Sequence, residues 1–314
     1  MIRFVAGRIG TTLVTLLVAS FLIFGGLQLA PGSALAALSG GRPLTAEQAA
    51  ALTARYHLDA PFLERFFSWW GDLLQGDLGI SVVQNETVAN LIGARVGVSM
   101  TLVLMASALV IVIGLSLGMV AAFAPRWVEQ GISWATTIAL ATPPFFYAIV
   151  FITVFAVQLR WFPVFGAGEP GLDRIWHLTL PALALALADC ALMTRIVRNS
   201  AREEARREFV ETARARGIPE GTIIRRHVFR NSLVPAVTIA GLTVAALVGG
   251  TAVIETVFGI DGIGSLLVTS ATSKDFAVVQ VLSLSIVAIF LFTSLVVDIL
   301  YRFLDPRMTG AVTA

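Results

Sequence analysis

The side chains that ordinarily carry catalysis or metal binding are few in this chain and are not spaced to act together. Cys190 is the one cysteine and lies in an apolar run, so no disulfide framework or cysteine-rich metal site can form within the chain. His57, His177 and His227 are dispersed, and no His-rich or carboxylate-rich path favours a metal. The single lysine, Lys274, does not follow a glycine. A Gly-Lys phosphate loop is therefore absent, and any nucleotide hydrolysis must come from another subunit. Asp189 stands apart, because it lies deep in an apolar run where an ionisable group costs about 2.5–3.5 kcal/mol to insert. It should face an aqueous path or a partner, and a hydrogen bond to a neighbouring helix is the alternative.

Charge is concentrated in one stretch. Between Arg195 and Arg230 lie ten of the 22 Lys+Arg and five of the 20 Asp+Glu. Within it, Ser200 followed by Glu203 is a capping box that predicts a helix start. Glu203 with Arg207 and Glu211 with Arg214 are spaced to support that helix as ion pairs. Gly217 suits the left-handed position that ends a helix, and Pro219 fits the start of a new one, so two short helices at an angle are expected. An arginine-rich helix–turn–helix can mimic a nucleic-acid reader, and a basic loop can be only a topology signal.

The elements around this stretch are apolar. With 57% hydrophobic and 13% charged residues, against about a quarter charged in soluble domains, the chain reads as an all-α integral membrane protein. Ile9 to Ala30 is long enough to span a bilayer, which needs about 20 helical residues. Its length argues against a cleaved signal peptide, although Ala34-Leu35-Ala36 resembles a cleavage site. From Pro31 to about Val96 the chain turns amphipathic. Thr45 with Gln48 caps a helix to about Tyr56, and Pro61 opens another to about Leu74. The second carries Phe62, Phe66, Trp69, Trp70 and Leu73 on one face. Those aromatics suit either a membrane interface or packing against other spans.

Further spans are expected at Val98–Ala124, with small residues for helix contact, and at Gly131–Leu159, interrupted by Thr142-Pro143-Pro144. Two prolines break the ladder, so this point should face the bundle interior unless it is a plain packing kink. Leu178–Ile196, Pro235 to about Val257 and Ala277–Tyr301 complete six spans. With the amino terminus inside, 15 Lys+Arg fall on the cytoplasmic side and seven outside, so both termini are expected in the cytoplasm.

Glu211-Thr212-Ala213 followed by Gly217 and Leu233-Val234-Pro235 resembles the EAA loop of ABC importer permeases. Thr212 replaces the second residue of the general motif, and Pro235 lies further from Gly217 than in sugar-type importers. Both features are similar to the peptide branch, as are LAPG at Leu29–Gly32, GDLG at Gly76–Gly79, TPPFF from Thr142, ETVFGIDGIG from Glu255 and KDFAVVQ from Lys274. The resemblance extends to Asp305-Pro306-Arg307. It implies a type I ABC importer permease core at 97–305 with its coupling loop at 199–236. Residues 1–96 form a first span plus an outer amphipathic region, and 306–314 a tail.

The resemblance further implies a non-catalytic, multi-pass cell-membrane subunit that moves oligopeptides or dipeptides. Its partners would be a second homologous permease, two cytoplasmic ATPases that bind ATP and Mg²⁺, an extracytoplasmic peptide-binding protein and the bilayer. No nucleic acid and no cofactor in this chain are expected. Glu211, Thr212, Ala213 and Gly217 would dock the ATPase, Asp189, Pro143 and Pro144 are candidates for the path, and Glu220, outside the motif, should matter less. Nickel or glutathione permeases share the pattern. An ion-coupled secondary transporter would instead show inverted repeats and several intramembrane carboxylates.

Overall fold

Long apolar runs leave the backbone only its own partners in lipid, and they fold here as helices. The computed structural model describes residues 2–28, 45–55, 60–81 and 83–304. The helices are α1 (Ile2–Gln28), α2 (Ala46–Arg55), α3 (Phe62–Leu74), α4 (Val88–Phe123), α5 (Arg126–Ala141), α6 (Pro144–Phe151), α7 (Leu172–Ala205), α8 (Glu208–Ala215), α9 (Glu220–Ile223), α10 (Phe229–Val257), α11 (Ile263–Thr272) and α12 (Phe276–Leu304). A two-residue hairpin, β1 (Ile80–Ser81) with β2 (Glu86–Thr87), precedes α4. Wider π-helical turns follow α6 at Ile152–Gln158 and precede α10 at Ile224–Val228. Among the described residues, five helices are long and apolar enough to cross a membrane, or up to six if the bent α5–α6 pair is one span.

Two predicted boundaries are corrected. The capping box at Ser200 starts no helix, because α7 runs on to Ala205. Val197, Ala201 and Glu204 recur at helical spacing and are all buried, so packing keeps the segment helical where the local signal offers a start. The second span begins at Val88, not Val98, because its first turns carry Val88 and Leu91 into a buried cluster. LAPG and Asp305-Pro306-Arg307 lie outside the described residues.

The chain divides into two compact units, Met1–Met100 with Asp261–Leu291, and Thr101–Ile260 with Phe292–Ala314. Residues 261–291, placed with the core by the sequence reading, group by contact with the first hundred residues. In this first unit the aromatic face of α3 packs on α1. Phe21 and Phe24 meet Phe62 and Phe66 edge-on at 5.4–5.6 Å between ring centres, and Trp70 Nε1 donates to Ser20 Oγ at 3.0 Å. Those aromatics thus pack against another span, one of their two expected settings. The Thr45–Gln48 box forms reciprocally, at 3.1 and 3.2 Å. A second cluster joins Val88 and Leu91 to Leu266, Val278, Val281 and Leu282. Ser81 Oγ donates to the buried Asp275 carboxylate, which also accepts the backbone N–H groups of Val83 and Val278. The hairpin is thereby tied to the start of α12.

In the second unit α7 is the central helix, packed against α5, α6 and α10. The expected small-residue contact of the second span occurs at Gly114 and Gly118. A Cβ on Gly118 would stand 2.6 Å from Val197 Cβ and 2.9 Å from the Thr194 carbonyl oxygen, so α4 and α7 approach too closely for any side chain there. At the bend, α5 and α6 meet at 105°. Pro143 and Pro144 remove the donors to Ala139 O and Leu140 O; the Tyr147 hydroxyl lies 3.0 Å from Ala139 O, while Ile138 O keeps the Thr142 N–H at 3.1 Å and also accepts from Thr142 Oγ1 at 2.8 Å.

Candidate coupling loop

The sequence from Glu208 to Val228 makes two short helices because each end signal is used. α8 closes in a Schellman turn. The Gly217 N–H donates to Arg214 O at 2.9 Å and the Ile218 N–H to Ala213 O at 3.2 Å, with Gly217 at φ +75°. Ile218 packs with Ala213 in one apolar cluster, the contact that ordinarily accompanies this turn. Pro219 then caps α9, its carbonyl accepting from Thr222 and Ile223. The second short helix is not freestanding, however. Its π turn continues it into α10, so Glu220 to Val257 is one helical rod.

This geometry separates the motif residues by face. Ala213 is buried with Ala122, Ala201, Val210, Ile223 and Val228. Glu211 and Thr212 point outward, and the Thr212 hydroxyl returns to Glu208 O at 3.0 Å. Gly217 is exposed, and a Cβ there would meet nothing within 4 Å. Two arms of the cluster reach α4 and α7, so the loop is seated on the ends of both.

The ion pairs differ from those expected. Arg214 turns from Glu211 to Glu220, with Nε–Oε2 at 3.0 Å and Nη2–Oε1 at 2.6 Å, and so bridges α8 to α9 across the Gly217 turn. Its guanidinium holds the Glu220 carboxyl below the usual carboxylate range. Glu220, outside the motif in sequence, is thereby bonded across the turn that the motif ends on. Arg207 pairs with Glu204 at 2.8 Å, not Glu203, and the buried Glu204 also accepts from Asn231 at 3.3 Å.

The path candidates lie apart from this loop. Asp189 is half-buried beside Leu192, Ile196 and Asn199, the strip of α7 that neighbouring helices leave open. Among the described residues its carboxylate accepts no hydrogen bond. Pro143 and Pro144, expected to face the bundle interior, are exposed on this chain taken alone. One functional candidate escaped the sequence reading altogether. Glu129, in the first turn of α5, pairs with Arg198 and Arg202 of α7, and the arginine spacing i, i+4 opposite a lone carboxylate was its only signal.

Comparison with known proteins bears on this geometry. The family described as "Binding-protein-dependent transport system inner membrane component" matches residues 114–310. The oligopeptide transport system permease protein OppB of Salmonella typhimurium is 34% identical over 311 residues, 98% of this chain and 99% of its own. AppB, the oligopeptide transport system permease protein of Bacillus subtilis, is 35% identical over 261 residues, covering 81% and 83%. Among solved structures, the inward-facing methionine ABC transporter MetNI is similar in fold, with a TM-score of 0.57 at 19% identity, over 68% of this chain and 96% of that one.

Proposed function

Because the chain belongs to the family of binding-protein-dependent transport system inner-membrane components, we propose that it is the membrane-spanning permease of an ATP-driven importer for oligopeptides or dipeptides. What supports peptide as cargo is that whole-length relatives are oligopeptide permeases. The observation that carries the mechanism is the Schellman turn at Gly217, which seats Ala213 inward and holds Glu211 and Thr212 outward on a rigid, helix-terminated corner.

In this reading the corner docks on a cytoplasmic ATPase, and both termini lie in the cytoplasm. A second, related permease completes the path, and an extracytoplasmic binding protein delivers the peptide. ATP and Mg²⁺ are bound by the ATPases, and this chain carries no catalytic residue. Closure of the ATPases displaces α8, and the spans move between inward-open and outward-open states. Asp189, on the open strip of α7, lines the water-filled path or meets the companion permease.

The test is uptake of a labelled tetra-alanine peptide by the complex carrying Gly217→Val or Glu211→Arg, with membrane abundance and ATPase co-purification measured separately. Normal abundance with lost co-purification or uptake is the expected outcome. Normal transport by both variants would remove the docking role from this corner.

A further inference from the structure

Glu129 has no part in that reading, yet its one carboxylate is held by two arginines of α7. Arg195, Arg198 and Arg202 follow one another at i, i+3 and i+7 on α7 and therefore share a face. That face meets α5. Arg198 and Arg202 both bind the Glu129 carboxylate, Arg202 at 2.6 Å. Further along, Arg195 donates to Thr136 Oγ1 at 3.3 Å and Thr137 Oγ1 at 2.7 Å. Arg202 also reaches the last-turn carbonyls of α4, Ala122 O at 3.3 Å and Ala121 O at 3.5 Å, which have no partner within their own helix.

Two further observations give this ladder a direction. At one end, α7 finishes in the coupling-loop cluster, where fully buried Ala201 packs with Val210 and Ala213 of α8. At the other, α5 ends in the 105° bend at Thr142–Pro144. The opposite side of α5 presents Trp127, Trp134 and Ile138 outward, and α7 is the helix it packs against most extensively. Guanidinium groups hold carboxylates and hydroxyls in fixed fork geometry, so α5 must follow the cytoplasmic end of α7 closely.

We infer that Glu129, held by Arg198 and Arg202 and extended by Arg195 on Thr136 and Thr137, is the positioning link that carries displacement of the coupling loop to the α5–α6 bend. The inference rests on the docking role proposed for Glu211 and Gly217. Loss of the link leaves ATPase docking and turnover in place and disconnects them from the bend. The diagnostic quantity is therefore peptide imported per ATP hydrolysed, which a residue that only stabilises the fold does not move.

The experiment uses the assembled complex with its binding protein in proteoliposomes, with labelled tetra-alanine as the probe. Glu129→Gln should keep co-purification and ATP turnover while peptide moved per ATP falls at least about fivefold, the low end of ordinary coupling between sites. Glu129→Asp, which restores the charge, should recover most of that ratio. An unchanged ratio for Glu129→Gln, with or without lower thermal stability, overturns the inference. Should Glu129→Gln not assemble, Thr136→Val with Thr137→Val removes only the outer rung; a reduced ratio supports the link and an unchanged one overturns it. Glu211→Arg is run in parallel. If it loses ATPase co-purification while Glu129→Gln stays coupled, the link fails and docking stands; if Glu211→Arg transports normally, docking itself has failed.

Discussion

At Gly217 the backbone decides the outcome of substitution, since no atom waits where a Cβ would go. With φ at +75°, a β-branched residue carries the left-handed penalty of roughly 1–2 kcal/mol. Asparagine tolerates that conformation better, so Gly217→Asn should retain more ATPase co-purification than Gly217→Val. Glu220→Arg sets a second cation against Arg214 in place of its carboxylate. It is expected to weaken docking as Glu211→Arg does, measured by the same co-purification, and a silent Glu220→Arg would show that the bridge is dispensable. Asp189→Asn keeps the shape and removes the charge, and uptake kinetics should deteriorate if the carboxylate is used; unchanged uptake and assembly would refute its use. At Asp275, burial outweighs the hydrogen bonds from Ser81, Val83 and Val278 and holds the carboxyl above its usual range. The folded state thus keeps its proton at a higher pH than the unfolded state does. The destabilising contribution is full above the raised value and is relieved as pH falls through it. The hydrogen-exchange protection factor at the hairpin, corrected for the intrinsic pH dependence of amide exchange, should rise on mild acidification in the native complex, and Asp275→Asn should flatten that response. Gly217, Pro219 and Thr45 with Gln48 were legible in the sequence because each is a local device within a few residues. Which carboxylate Arg214 takes was not, since Glu211 and Glu220 are both within reach and only the turn chooses.

Among the elements, the α4–α7 contact depends on the absence of side chains at Gly114 and Gly118. Gly118→Val drives two branched side chains and the Thr194 carbonyl into one space. Overpacking of this kind costs about 1–3 kcal/mol, so the variant should show a lower thermal midpoint and lower membrane abundance. Normal stability would mean that the helices can part there without loss. Spans were readable from length and hydropathy, because a bilayer demands long apolar helices. Their ends were less so. α4 begins early and α7 ends late for the same reason: residues that look amphipathic or capped in isolation have buried partners from distant parts of the chain, Leu282 for Leu91 and Val210 for Ala201. The sharpness of the α5–α6 bend was equally hidden, since Pro143 and Pro144 announce a break without fixing its angle.

For the whole molecule, the missing phosphate loop predicts that the purified permease turns over no ATP in nanodiscs; turnover surviving rigorous removal of other subunits would contradict the proposed division of labour. The family was accessible because the motif fragments recur in order along nearly the full length. The grouping of Asp261–Leu291 with the first hundred residues was not, as it arises from contacts between segments far apart in sequence. The π turn at Ile224–Val228 has a consequence of its own, a matter of phase. Such a turn accommodates a residue more than the α-helical repeat, and α9 leads through it without interruption into α10. Deleting one residue there would return the turn to α-helical winding with the phase largely kept, whereas deleting one from the α-helical part of α10 would shorten the rod by about 1.5 Å and rotate Glu220 and its bridge to Arg214 by about 100°. The angular setting between the corner at Gly217 and the span that carries it is thus recorded in a single count of residues.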